Sequence, residues 1–258
     1  MSQAALIGIN AAVVGGAMLL LWLLATAIRN VSIVDIAWGA GFAAVAGLSL
    51  ALAPERGPRS IALAVLTAAW GLRLAGYLAW RNLGHGEDRR YQAIRARNEP
   101  GFWWKSLYLV FGFQAALIII VSLPIQVGAL HPTITSLPLF IAGCAAYAIG
   151  LFFETVGDFQ LARFKRDPAS HGQVMDRGLW RYTRHPNYFG DFMVWWGLFA
   201  IAVPAPTHAW IAIGPVIMTV LLLRVSGVAL LESTLKHRPG YADYIARTSP
   251  FFPRPPKR

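Results

Sequence analysis

The stretch Arg177–Asp191, RGLWRYTRHPNYFGD, gathers three arginines, a histidine, an asparagine, two tyrosines and an aspartate directly before the apolar run FMVWWGLFAIAV. Backbone N–H groups at a helix start, with cations around them, suit a phosphate-bearing ligand. A plain arginine anchor for lipid headgroups is the competing reading. That anchor accounts for the arginines but not for Asn187 and Asp191, which stand four apart on one helical face. Tyr182, His185 and Tyr188 belong to the same cluster.

Other charges fall inside or at the ends of apolar runs: Asp35, Arg73, Glu154, Asp158, Arg224 and Glu232. Each costs about 2.5–3.5 kcal/mol at mid-bilayer even on the mildest scale, so each asks for a reason. Single helix–helix ion pairs such as Asp35 with Arg73 are one reason. A polar cavity open to one side is another, and Glu154 with Asp158 repeats the spacing of four. Arginines for phosphates, carboxylates for ribose hydroxyls and aromatics for stacking describe a dinucleotide site. No GxGxxG follows a strand, so a Rossmann domain is excluded as its carrier. No HExxH or CxxC spacing offers a metal site, and the single cysteine, Cys144, sits in an apolar run.

The elements that would position these residues are helices. The 258 residues are 56% hydrophobic and 14% charged, with mean hydropathy +0.50, against about a quarter charged in soluble domains. The reading is all-α: one polytopic membrane domain over 1–258 with spans at about 4–28, 33–53, 61–80, 107–128, 137–159, 187–203 and 210–231. Loops 81–106 and 160–186 and the tail 232–258 connect or follow them. Arg29, the loop 81–105, the loop 163–184 and the tail hold nineteen of the 23 Lys and Arg; the opposite face holds Arg56 and Arg59. That asymmetry places the N-terminus outside and the C-terminus in the cytoplasm. It also makes the net charge of +11 a matter of topology, with no nucleic acid implied. The outer half reads as plain Ala, Leu, Ile and Val, without chemistry.

GLWRYTRHPNYFGD, the apolar span after it and LESTLKHRPGYADYIARTSPFFP resemble the C-terminal half of the membrane steroid 5-alpha-reductase family. IVDIAWG (Ile33–Gly39), EDRRY (Glu87–Tyr91) and GDFQLARFKRDP (Gly157–Pro168) resemble its bacterial branch. The resemblance implies a seven-helix enzyme that uses NADPH to reduce the C4–C5 double bond of a 3-oxo-4-ene steroid. Asp158, Asn187, Asp191 and Arg224 stand at the positions of NADPH contacts. Glu154 replaces an asparagine of the human-type enzymes, Lys165 replaces an arginine, and Glu232 falls where an aromatic or histidine is expected. Asp35 stands where the family has the glutamate that holds the substrate ketone. The third-helix tyrosine is displaced: Trp70 takes its register, with Tyr77 one turn on.

The expected chemistry is a hydride to the β-carbon and an acid on the ketone oxygen. Polarising that oxygen as charge develops is worth several kcal/mol in comparable sites. Asp35, Tyr77 and Tyr91 are the candidate acids, a carboxyl in an apolar bundle being raised toward the neutral form. Trp38 and Trp70 would wall a substrate slot reached from the bilayer. NADPH phosphates would lie near Arg163, Lys165, Arg181, Arg184, Tyr241, Tyr244 and Arg247. A bacterial inner membrane is the expected location. Two rivals remain: a methyltransferase of the isoprenylcysteine type, which shares an RHPxYxG pattern and binds S-adenosylmethionine, and a lipid-binding or transport protein without catalysis.

Overall fold

The computed structural model describes every residue except 226, 229–231, 233, 234, 236, 237 and 258. The far end of the expected last span, with Lys236, His237 and Arg258 of the tail, therefore lies outside the described residues. The chain is 78% helical, with no strand among the described residues. Six helices are long and apolar enough to cross a membrane: α1 (Gln3–Ala27), α2 (Val31–Leu52, opening in a 3-10 turn), α3 (Pro58–Asn82), α5 (Phe102–Val121), α7 (Leu137–Arg166) and α9 (Pro206–Val225). These make the chain a multi-pass membrane protein. The remaining expected span is α8 (Pro186–Ala202), an unbroken helix of 17 residues, shorter than the other six. Short helices α4 (Arg89–Asn98), α6 (Leu123–Ala129) and α10 (Tyr241–Arg247) complete the set.

Boundaries follow local chemistry. α1 ends with Asn30 N–H on Ala25 O (2.9 Å) and Arg29 at φ +54°, the left-handed closing residue that glycine usually supplies. Pro58 opens α3 at a position that needs no N–H. The expected span 107–128 begins earlier, at Phe102, and is split at Ser122 before Pro124. α7 outruns its expected end at 159, because LARFKR combines good helix formers with three cations in the last turn.

The chain divides into two compact units: Met1–Ser136 with Ala202–Gly214, and Leu137–Ile201 with Pro215–Arg258. In the first, α2 and α3 touch backbone to backbone. A Cβ on Gly39 or on Gly71 would lie 2.3 Å from the other's carbonyl oxygen. Near the end of α2 far from Asp35, Asn10 donates to Ser49 (3.0 Å) and to Gln126 (3.1 Å), and Gln126 donates to Ser122 (2.9 Å). All four are buried, so this end carries a polar network where the sequence reads as purely aliphatic. Arg59 is buried too, donating to Thr135 (2.7 Å) and to the His131 carbonyl (3.4 Å).

In the second unit, α7 presents Gly143, Gly150 and Gly157, and α8 presents Gly190 and Gly197. Spacing of seven keeps them on one face of each helix. A Cβ on Gly150 would meet Gly190 O at 2.5 Å, and one on Gly190 would meet Glu154 N at 2.5 Å. This close approach is what sets the acids of α7 beside the polar start of α8.

Candidate functional site

Two clusters carry the expected residues, one in each unit. The first is built at the start of α2. Asp35 lies in the first turn of the helical stretch there, and both of its oxygens accept: Oδ1 from the Tyr91 hydroxyl (2.6 Å) and Oδ2 from Arg90 Nη2 (2.8 Å). The partner of Asp35 is thus Arg90 on α4, a residue to which the sequence reading gave no role although it lies within EDRRY.

α4 is held by its neighbours in that motif. Asp88 caps it, accepting from Arg90 N (2.9 Å) and Arg90 Nε (3.0 Å). Glu87 accepts twice from Arg95 (2.9 and 2.8 Å) and once from Val31 N (2.9 Å), fastening α4 to the α1–α2 corner. Burial alone would raise the Glu87 carboxyl, but the Arg95 bonds hold it below its usual value. Asp88 is lowered in the same way, burial being outweighed by Arg90. The result is a buried Tyr91, 7% exposed, whose hydroxyl is pushed well above the usual range by burial first and then by Asp35. It is a firmly protonated donor.

Trp38 and Trp70 flank Phe42, at 4.9 and 5.7 Å between ring centres. Trp70 is fully buried, so the two indoles form an aromatic wall in the same unit as Asp35. Tyr77 stacks obliquely on Trp80 (5.9 Å), with Arg81 over its ring at 5.7 Å.

The second cluster surrounds the start of α8. Gly157 lets Pro186 and Asn187 approach α7, since a Cβ there would sit 3.2 Å from the proline ring. Asn187 then donates to Asp158 (3.2 Å), one pair of the expected cofactor set. Glu154 and Asp158 are buried and Asp191 is half-buried.

Arg184, also expected as a phosphate contact, is spent otherwise. It is 7% exposed, and its Nε donates to Glu232 (2.7 Å) while Nη1 donates to the carbonyls of Thr248 (2.8 Å) and Ile245 (3.2 Å). A cation there satisfies the orphan carbonyls at the end of α10. His185, stacked on Tyr188 at 5.6 Å, meets the same Glu232 oxygen at 3.1 Å. The His185 bond, with Arg184 beside it, holds the Glu232 carboxyl down at about 2.

The tail closes the cluster. Arg184 N donates to Ser249 O (2.9 Å), Arg254 N to Tyr182 O (3.0 Å) and Thr183 Oγ1 to Phe251 O (2.7 Å). Tyr244 donates to Trp180 O (2.6 Å), and Trp180 in turn donates to Gly157 O (3.1 Å). Burial raises the hydroxyls of Tyr241 and Tyr244. Arg163, Lys165, Arg181, Tyr182, Arg224 and Arg247 are exposed. Trp180 and Thr183 went unread in the sequence, although both lie inside the motif and only a fold shows what they join.

The chain matches, over residues 21–248, a family described as a protein of unknown function (DUF1295). No curated protein and no solved structure matches it.

Proposed function

The chain belongs to the DUF1295 family, and we propose that it is a seven-span enzyme of a bacterial inner membrane. It reduces the C4–C5 double bond of a 3-oxo-4-ene steroid, or a similar lipophilic enone, with NADPH. The observation that carries this reading is the Tyr91–Asp35 hydrogen bond of 2.6 Å, buttressed by Arg90. It keeps a protonated hydroxyl at the polar end of α2; on substrate binding the one proton now given to Asp35 turns to the ketone oxygen, where negative charge grows, while Arg90 holds the carboxylate. Of the three candidate acids, Tyr91 is the one that donates; Asp35 orients it, and Arg90 holds Asp35.

The second cluster fits a dinucleotide by the chemistry of its donor set. Arg163 and Arg181 carry exposed guanidiniums for phosphate oxygens, and Asn187 with Asp158 offers an amide and a carboxylate for ribose hydroxyls. Glu154, Asp191 and Arg224 complete the expected contacts. Arg184, His185, Glu232 and Tyr244 act one step back, holding the α8 start and the tail in place. When bound, NADPH supplies the hydride. Trp38 gives the lipophilic substrate an apolar face; Trp70, expected beside it, is fully buried and backs that face through Phe42.

The test is purification in mild detergent followed by NADPH absorbance with progesterone- or testosterone-like enones. Tyr91→Phe should lower turnover by about 10²-fold or more while leaving NADPH affinity unchanged. Enone-independent NADPH levels in the wild type, or retention of S-adenosylmethionine in place of NADPH, would sink the reductase reading.

A further inference from the structure

A cleft of about 440 Å³ opens at the end of α1, lined among others by Thr26, Arg29, Arg95, Glu99, Trp103 and Ser106. Its size is in the roughly 300–1,000 Å³ range of small-molecule sites. It lies in the first unit, and neither Asp35 nor Tyr91 lines it.

The charges on its wall are not equivalent. Arg95 is committed: two of its nitrogens bond Glu87, and its guanidinium lies 4.7 Å from the centre of the Phe102 ring. Arg29 is exposed and joins no ion pair among the described residues. Glu99 makes one long bond, accepting from Phe102 N at 3.4 Å; it attracts Arg95 but forms no close salt bridge with either arginine of the cleft. One cation outside any ion pair and one anion held only by that long bond and the field of Arg95 therefore line the same space. A simple anion would meet Glu99 and a simple amine would meet Arg29; a dipolar ligand satisfies both.

Arg29 also sits at φ +54°, where a glycine would rest without strain. Such a conformation in a bulky residue invites a functional reading. The chain next to the lining residues is membrane-like: Leu23, Leu24 and Ile28 at the end of α1 are exposed, as are Trp103 and Trp104 of α5. Trp22 Nε1 donates to Trp103 O (2.8 Å), which ties α1 to α5 across the cleft.

We infer that this cleft binds the phosphoethanolamine headgroup of a membrane phospholipid. Arg29 takes the phosphate, Glu99 takes the ammonium with the Trp103 indole beside it, and the acyl chains run along the exposed leucines of α1.

The test is native mass spectrometry of the delipidated full chain with phosphatidylethanolamine or phosphatidylglycerol added. The wild type should retain phosphatidylethanolamine about tenfold better than phosphatidylglycerol, as expected for one charge-assisted hydrogen bond. Glu99→Gln keeps an oxygen for Phe102 N and should bring the two lipids to parity. Arg29→Asn, a residue that tolerates positive φ, should lose both. Equal retention of the two lipids by the wild type overturns the proposal without recourse to any variant. So does an unchanged preference in both variants. Free O-phosphoethanolamine that displaces the lipid at matched concentration would overturn the lipid as source; failure to displace it supports the lipid.

Discussion

Arg184 shows how far a residue's type can mislead about its task. Its placement in an RHP motif suggests phosphate, yet its fork is used up on Glu232 and two carbonyls of the tail. Replacing it by Gln should leave Glu232 half-paired and cost on the order of 2–3 kcal/mol, measured by thermal unfolding in detergent. Glu232 carries a pH signature. Its folded value of about 2 lies below the usual 4.5, so its stabilisation is complete above about 4.5 and disappears as pH falls toward about 2. Protease resistance of the tail should decline over that window in the wild type and be flat there in Glu232→Gln. At the other cluster, Asp35→Asn should lower enone turnover as Tyr91→Phe does, since it removes the carboxylate that aligns the hydroxyl; unchanged turnover would remove Asp35 from the site. The carboxyls and tyrosines were legible as residue types. Arg90 as the partner of Asp35, Thr248 as that of Arg184 and Trp180 as that of Tyr244 were not, because a hydrogen bond across 55 or 64 positions leaves no local pattern in a sequence.

At the level of the helices, glycine decides what can lie beside what. The α2–α3 and α7–α8 contacts are made where two missing side chains coincide, so packing is backbone on backbone. Gly190→Ala, whose new Cβ would fall 2.5 Å from Glu154 N, should destabilise by about 1–3 kcal/mol. Gly47→Ala, with nothing within 4 Å, should be neutral or gain up to about 1 kcal/mol. Comparing the two melting curves isolates the seam from helix propensity. Helix existence was legible from apolar runs, and four of the six long helices begin within three residues of the expected position. The start of α5 was missed because WWKS reads as a loop when only apolar continuity is followed. The buried Asn10–Ser49–Gln126 network was missed for a related reason: three single polar residues, far apart in sequence, each look incidental.

For the whole molecule, the charge asymmetry makes a prediction that the helix count alone cannot. With α8 counted as a span, the N-terminus faces outward and the C-terminus inward. Cysteines introduced at Ser2 and Arg254, in a Cys144→Ser background, should be labelled by a membrane-impermeant maleimide from opposite sides of intact and lysed cells. Labelling from the same side would leave six spans. The 17 residues of α8 are at the lower limit for crossing, about 26 Å of helix, which is why length and composition do not decide the matter.

The pairing of Ser249, Phe251 and Arg254 with residues 182–184 sets an order on biosynthesis. Translation delivers the RHPN segment about 65 to 70 residues before the stretch that secures it, so the nascent protein leaves this corner open until residues 249–254 have emerged. Truncation just before Ser249 would yield a protein that inserts normally yet never closes this corner, a defect visible as protease sensitivity at the loop before α8.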